Sequence, residues 1–148
     1  MLEENFNLIS QAMHYLDNVN YFYSKLGNNE TSDIYYMRDC CLNLQMCIEL
    51  FLKALVENLC GRDYCHTHEL RDNIQLIDNN KDSIENYKEL DKILAEVDDK
   101  ADRIKLFHTN AVYVNGFASS MREIDSIKTI ANKLNEFCGK YVKAKKVS

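Results

Sequence analysis

The chain has 148 residues and a mass of 17.3 kDa, which is the size of one domain with one sizeable core. With 46% hydrophobic and 28% charged residues, the composition is that of a globular protein and excludes a collagen-like or disordered chain. The formal net charge of −5 excludes an overall field that attracts a polyanion. We therefore expect a single domain over residues 1–148, in which any contact with nucleic acid is local.

The residues that make tight turns are scarce. Proline is absent and glycine occurs four times, whereas β-sandwiches and barrels need many turns. The composition therefore predicts helices. No apolar run approaches the roughly 18 residues of a membrane span, and Glu3 and Glu4 stand where a secretory signal carries positive charge. We expect a soluble, cytoplasmic protein without a membrane segment.

The first two helices are marked by apolar periodicity and by glycine. A helix is predicted over 2–26, followed by Gly27. Its apolar stripe is predicted to comprise Phe6, Ile9, Met13, Leu16, Asn20 and Tyr23. Thr31 or Ser32 is expected to cap a second helix that ends near Cys60, before Gly61.

The middle of the chain contains two further helical patterns. Thr67 can cap a short third helix that continues to about Ile77. Asp82 and Glu85 have the spacing of a capping box, which predicts that a long helix begins there and continues to about Asn115. Its stripe is predicted to comprise Leu90, Ile93 or Leu94, Val97, Ala101, Ile104, His108 and Ala111.

The last helix has the most regular pattern. Ser120 and Glu123 form a second capping-box pattern. Apolar residues then follow at steps of three and four: Ile124, Ile127, Ala131, Leu134, Cys138 and Tyr141. Because each stripe is too narrow for a helix buried all round, the helices are predicted to pack as an all-α, up-and-down antiparallel bundle of four to five helices.

The six cysteines do not have the spacing of a secreted disulfide framework, so reduced thiols are expected. Cys60, Cys65, His66 and His68 are residue types that bind zinc, but they lack the usual two-residue gap between paired ligands. Two interpretations stay open, a zinc site and ordinary residues around a helix end. We favour the second and expect neither metal nor cofactor.

Four polar residues stand in or beside apolar stripes. Gln45, Glu49 and Lys53 are four residues apart, and Glu49 before Lys53 is the favourable order for an ion pair on one helix face. A solvated or half-buried face explains them without a function. His108 occupies a stripe position, where it is either a core histidine bonded to a carbonyl or carboxylate, or a catalytic or ligand-binding residue.

A family resemblance rests on the second helix and the turn that follows it. The segment begins Gln45-Met-Cys-Ile-Glu49-Leu-Phe-Leu-Lys53-Ala-Leu, and Gly61 and Thr67-His68-Glu69-Leu70 come after it. This order resembles the signature of the HEPN superfamily, the nucleotide-binding helical domains of prokaryotes and higher eukaryotes. The match covers about 40–76.

The resemblance implies a four- or five-helix bundle that forms a homodimer. Many members are metal-independent RNases, often toxins silenced by a neighbouring nucleotidyltransferase-type partner, and others are non-catalytic binding domains. It also implies that Gln45, Glu49, Lys53 and His68 are signature residues associated with RNA or nucleotide binding.

Catalytic members carry an arginine followed by a histidine after four to six residues. Arg103 and His108 fit this spacing, so the resemblance implies that they are the catalytic pair. Ile104 departs from the pattern, because active members prefer Asn or Asp there. Five helical steps also separate Arg103 and His108 by about 140° around the axis, so they share a pocket only at its lip or across a dimer groove.

Three functions therefore stay open. The first is a dimeric, metal-independent endoribonuclease of a toxin–antitoxin pair. In it, His108 would move a proton and Arg103 would stabilise the charge on phosphorus. The second is the same bundle without catalysis, as a binding domain for a nucleotide or a nucleotidyltransferase-type protein. The third is a structural helical adaptor.

Overall fold

The structure is a computed structural model that describes residues 2–26, 30–61, 69–113 and 121–147. These residues form five α-helices and no strand, which confirms the predicted all-α fold. The helices are α1 (Leu2–Ser24), α2 (Glu30–Cys60), α3 (Leu70–Asn79), α4 (Tyr87–Tyr113) and α5 (Met121–Val147). In the described parts of the chain, none of these helices has the length and apolar character to cross a membrane.

Side-chain contacts between α1 and α2 show that the two helices are antiparallel. The Phe22 and Tyr36 rings stack with centroids 6.4 Å apart, near the end of α1 and the start of α2. Further along, the Asn18 amide donates a hydrogen bond of 3.2 Å to the Asn43 side-chain oxygen. Residue numbers thus rise along one helix as they fall along the other.

Three ion pairs along the seam between α4 and α5 show the same antiparallel order. Their separations are 2.7 Å for Arg103–Glu123, 3.0 Å for Lys133–Glu96 and 3.9 Å for Lys140–Glu89. The short α3 is also antiparallel to α4, because Arg71 at its start pairs with Asp98, and Asp78 near its end accepts a hydrogen bond from Tyr87.

Helix α2 is the centre of the bundle, since it contacts each of the other four helices. From Cys47 to Glu57, every residue except Lys53 is buried. The expectation that each helix has a narrow buried stripe is therefore wrong for α2. Over 47–57, neighbours on several sides remove almost the whole circumference of α2 from water, whereas Tyr35 and Arg38 nearer its start are exposed.

The predicted stripe of α5 is confirmed, because all six of its residues are buried. The stripe of α1 is partly wrong: Met13 is 45% exposed and Asn20 is exposed, whereas Ala12 and Val19 are fully buried. Position 13 lies about 100° around the helix from position 12, so it turns away from the core. Burial of Val19 also leaves the polar Asn20 in water.

The helix ends confirm one prediction and correct others. Gly61 has φ +90°, and its N–H donates to the Glu57 carbonyl at 2.9 Å, so it terminates α2 as expected. Helix α2 already begins at Glu30, so Thr31 and Ser32 lie within its first turn.

The predicted starts of the third and fourth helices are wrong. Glu69 rather than Thr67 precedes α3, which continues to Asn79. The capping box of Asp82 and Glu85 does not open a helix. A single 3-10 turn spans Lys81–Ser83, and α4 begins only at Tyr87 after Asn86 with φ 61°. Asparagine tolerates this left-handed conformation, which interrupts the helix.

Candidate functional site

The candidate site lies at the end of the bundle where α4 finishes and α5 begins. Arg103 is on α4, and its Nε donates a hydrogen bond of 2.7 Å to Oε2 of Glu123, in the first turn of α5. The exposed fractions of the two side chains are 34% and 23%. Arg103 is therefore a half-buried cation whose direction is fixed by a carboxylate on the neighbouring helix.

Two further groups act on Arg103. Its guanidinium carbon lies 5.8 Å from the ring centroid of Phe107, one turn later on α4, and Phe107 is fully buried. The hydrogen bond that Arg103 donates to Glu123 raises the pKa of Arg103. Partial burial opposes this effect, and Glu123 and Cys41 of α2 make smaller electrostatic contributions that also raise the pKa. The side chain is therefore a permanent positive charge beside α2.

Ile104 belongs to the core rather than to the site. It follows Arg103 directly and is fully buried. Its position in the apolar stripe of α4 agrees with the periodicity, and it places no polar group beside Arg103. The polar side chain that active HEPN members prefer after the arginine has no counterpart here.

The second residue of the predicted catalytic pair is described only by its backbone. His108 lies in α4, five residues after Arg103, which corresponds to about 7.5 Å along the helix axis and about 140° around it. Its side chain lies outside the described residues. The core position near it is filled by Phe107, which the predicted stripe omitted.

Gln45, Glu49 and Lys53 form a continuous polar row on α2. The Gln45 amide donates to one Glu49 oxygen at 2.7 Å, and Lys53 Nζ lies 3.0 Å from the other. Glu49 is 5% exposed, so the predicted ion pair is confirmed but sits deeper than a solvated face. The buried Oε1 of Gln45 has no hydrogen-bond partner among the described residues. His68, the other signature residue, lies outside them.

The row is connected to the candidate site through α2 itself. Cys41, which contributes to the electrostatics of Arg103, lies one turn before Gln45 on the same helix. The negative charge of Glu49 is matched within the row by Lys53. The row thus places a hydrogen-bonded and ion-paired set of polar groups on the central helix.

The zinc-type cluster is only partly described. Cys60 is half-buried and accepts a hydrogen bond from the Asn80 amide at 3.2 Å, and burial raises the pKa of its thiol. Cys65, His66 and His68 lie outside the described residues. Among the residues that the structure does describe, no group of three or more potential ligands could hold a metal ion. The described cysteines are all free thiols.

Sequence reasoning missed Glu123 as a partner of Arg103. The spacing from Ser120 predicted that Glu123 caps its own helix, and Ser120 lies outside the described residues. One Glu123 oxygen accepts a hydrogen bond from Arg103 of α4, which the spacing did not predict. The antiparallel seam could have suggested the pair, because Arg103 and Glu123 each lie one position before a buried isoleucine, Ile104 and Ile124.

Comparison with known proteins gives one match. The family model described as the HEPN domain matches residues 7–141. No curated protein and no solved structure matches the chain.

Proposed function

Because the chain belongs to the HEPN family, whose model covers 7–141, we propose that it is a metal-independent endoribonuclease with Arg103 and His108 as its catalytic pair. We further propose that it works as a homodimer in the cytoplasm and is the toxin of a pair silenced by a nucleotidyltransferase-type partner. The signature residues Gln45, Glu49, Lys53 and His68 would support the site or its contacts with RNA.

One observation carries this proposal: Arg103 is a permanent, oriented cation at an end of the bundle. The 2.7 Å hydrogen bond to Glu123 sets its direction, and 34% of the side chain is exposed. A guanidinium is well suited to a phosphate because it can donate two parallel hydrogen bonds. The adjoining α5 carries seven basic and three acidic residues, which offsets the acidity of the whole chain.

The proposed reaction is a transesterification within RNA. The 2′-oxygen forms a bond to phosphorus and the bond from phosphorus to the 5′-oxygen breaks, so the products are a 2′,3′-cyclic phosphate and a 5′-hydroxyl. Neutral His108 takes the proton of the 2′-hydroxyl and later releases it to solvent, and a water molecule supplies a proton to the leaving 5′-oxygen. Arg103 stabilises the additional negative charge on the phosphoryl oxygens.

The angle between the two residues explains why a dimer belongs to the proposal. On one helix, Arg103 and His108 are about 140° apart, so a single copy presents them to one phosphate only at the edge of a pocket. Two copies could supply an arginine and a histidine to the same groove. The positive charge of two Arg103 side chains would also add up there.

The test is cleavage of single-stranded RNA in excess chelator, with analysis of the product ends. We expect Arg103→Ala and His108→Ala to lose cleavage and the wild type to leave cyclic phosphate ends. The exposed Arg38 and His14 provide matched controls, because Arg38→Ala and His14→Ala delete the same residue types elsewhere. An equal loss of RNA cleavage in the control variants, or cleavage that requires a divalent ion, would contradict the proposal.

A second candidate function is a non-catalytic HEPN domain that binds a nucleotide or a nucleotidyltransferase-type protein. The observation in its favour is Ile104, a fully buried core residue where active members prefer a polar side chain. On this alternative, Arg103 is a binding cation or a structural half of the pair with Glu123. Wild-type protein that binds RNA or nucleotide in chelator but never cleaves RNA would favour this second function.

A further inference from the structure

An open groove of about 340 Å³ runs along the seam between α4 and α5. Its polar lining comprises Glu96, Asp99, Lys100, Ser126, Thr129 and Lys133. Lys100 lies three residues before Arg103 on α4, and Ser126 lies three residues after Glu123 on α5. Three helical residues correspond to a rise of about 4.5 Å, so the groove leads directly to the Arg103–Glu123 pair.

The charges in this groove are not equivalent. Lys133 Nζ lies 3.0 and 3.2 Å from the two oxygens of Glu96, so these two charges compensate each other. Lys100 is half-buried and, in the described part of the chain, has neither a hydrogen bond nor an ion pair. Asp99 likewise has no such partner there. The groove thus holds one uncompensated cation close to Arg103, with one uncompensated carboxylate beside it.

We propose that this groove binds one strand of the RNA substrate, with Lys100 on the phosphate next to the one held by Arg103. This inference rests on the proposed function and assigns its substrate path. One helical turn separates the two cations, and both side chains are long enough to contact neighbouring phosphates of one strand. The hydroxyl of Ser126, opposite Lys100 in the groove, can donate a hydrogen bond to the same phosphate.

The groove contains donors of the kind that bind a single RNA strand. Lysine and hydroxyl side chains are the usual donors to phosphate, and Lys100 and Ser126 supply them here. The carboxylate of Asp99 repels a polyanion, so its neutralisation should affect RNA binding in the opposite direction to that of Lys100. Neutralising Lys100 weakens RNA binding, whereas neutralising Asp99 strengthens it.

The experiment measures fluorescence anisotropy of a labelled single-stranded RNA of mixed sequence in chelator, over a salt series, together with kcat and KM for cleavage. The variants are Lys100→Gln and Asp99→Asn. Lys92→Gln is the control, because Lys92 is an exposed, unpaired lysine of α4 among the described residues and does not line the groove.

For Lys100→Gln we expect Kd and KM to rise about threefold with kcat unchanged. The slope of log K against log salt should fall by about 0.7, the loss of one phosphate contact on a single strand. Asp99→Asn should lower Kd and KM by a similar factor. Lys92→Gln should match the wild type.

The outcomes separate this inference from the proposed function. The wild type could cleave RNA while Lys100→Gln has the same Kd and KM as Lys92→Gln. That result would overturn RNA binding in the groove and leave the endoribonuclease proposal standing. Binding that depends on Lys100 without any cleavage would support the groove and overturn catalysis. If the wild type neither binds nor cleaves the RNA, both are overturned.

Discussion

The pair of Arg103 and Glu123 can be tested as a coupled unit by a double-mutant cycle. The cycle combines Arg103→Gln, Glu123→Gln and the double variant, because glutamine retains polar atoms while it removes each charge. Exposed ion pairs contribute about 0.2–1 kcal/mol and hydrogen bonds to charged groups about 1.5–3 kcal/mol. Because the side chains are 34% and 23% exposed, we expect a coupling free energy of about 1 kcal/mol.

The assay is urea unfolding at neutral pH, with the free energy of unfolding compared across the four proteins. In thermal unfolding, a loss of about 1 kcal/mol corresponds to about 3 °C in Tm for a domain of this size. A second ion pair provides the control: Lys105 and Glu69 lie 2.8 Å apart but are 66% and 53% exposed. Their cycle should give a coupling of only a few tenths of a kcal/mol.

The comparison of the two cycles tests whether Glu123 fixes the position of the Arg103 guanidinium. If the coupling of Arg103 with Glu123 is no larger than that of Lys105 with Glu69, the carboxylate does not fix the guanidinium. Arg103 would then be an ordinary surface cation, and the observation that carries the proposed function would be lost. A coupling near 1 kcal/mol would support an oriented cation whether or not the protein is an enzyme.

Three further predictions concern the core and its titrating groups. Asn73 is fully buried, and neither polar atom of its side chain has a partner among the described residues. Asn73→Leu should therefore raise the free energy of unfolding, measured in urea, by about 1 kcal/mol. A decrease in the free energy of unfolding would contradict this prediction. Burial and a 2.6 Å hydrogen bond to Asp78 raise the pKa of Tyr87, so the stability it contributes is present below pH 10 and lost as pH rises further. Unfolding from pH 9 to 12 should show a smaller decline for Tyr87→Phe than for the wild type. Burial raises the pKa values of Cys40 and Cys138 to about 12, so a thiol reagent at pH 8 should leave both unmodified until the protein unfolds.

The apolar periodicity of the sequence predicted most of the fold. Where a helix has one apolar face, the residues that the periodicity selects are the ones that pack in the core. The stripe of α5 and the end of α2 at Gly61 were both predicted correctly. Periodicity failed where packing departs from that simple case. Helix α2 contacts four neighbours, and the one-residue shift that exposes Met13 depends on which side of α1 faces α2.

Local capping rules failed for a different reason. Asp82 and Glu85 match a capping box, yet the left-handed Asn86 interrupts the chain just before α4. A capping pattern describes only one way for a helix to begin, and neighbouring turn residues can override it. The pairing of Glu123 with Arg103 also lies beyond any local rule, because it depends on a helix that is distant in sequence.

The local pairing of polar residues on α2 was predictable from the sequence, but the contacts between helices at the candidate site were not. The four-residue spacing predicted the ion pair between Glu49 and Lys53, because residues four apart on a helix are neighbours whatever surrounds them. The partner of Arg103 and the adjacent groove arise from the register between α4 and α5. No local pattern encodes that register, so these features appear only when the two helices are placed together.

The most direct test of the central claim is RNA cleavage by the purified wild-type protein and by His108→Ala, in chelator and with matched circular dichroism spectra. We predict cleavage by the wild type and its loss in the variant, with both proteins equally helical. Equal cleavage by both proteins would exclude His108 from catalysis. No cleavage by either, with the fold intact, would contradict the endoribonuclease and leave a HEPN domain that binds rather than cuts.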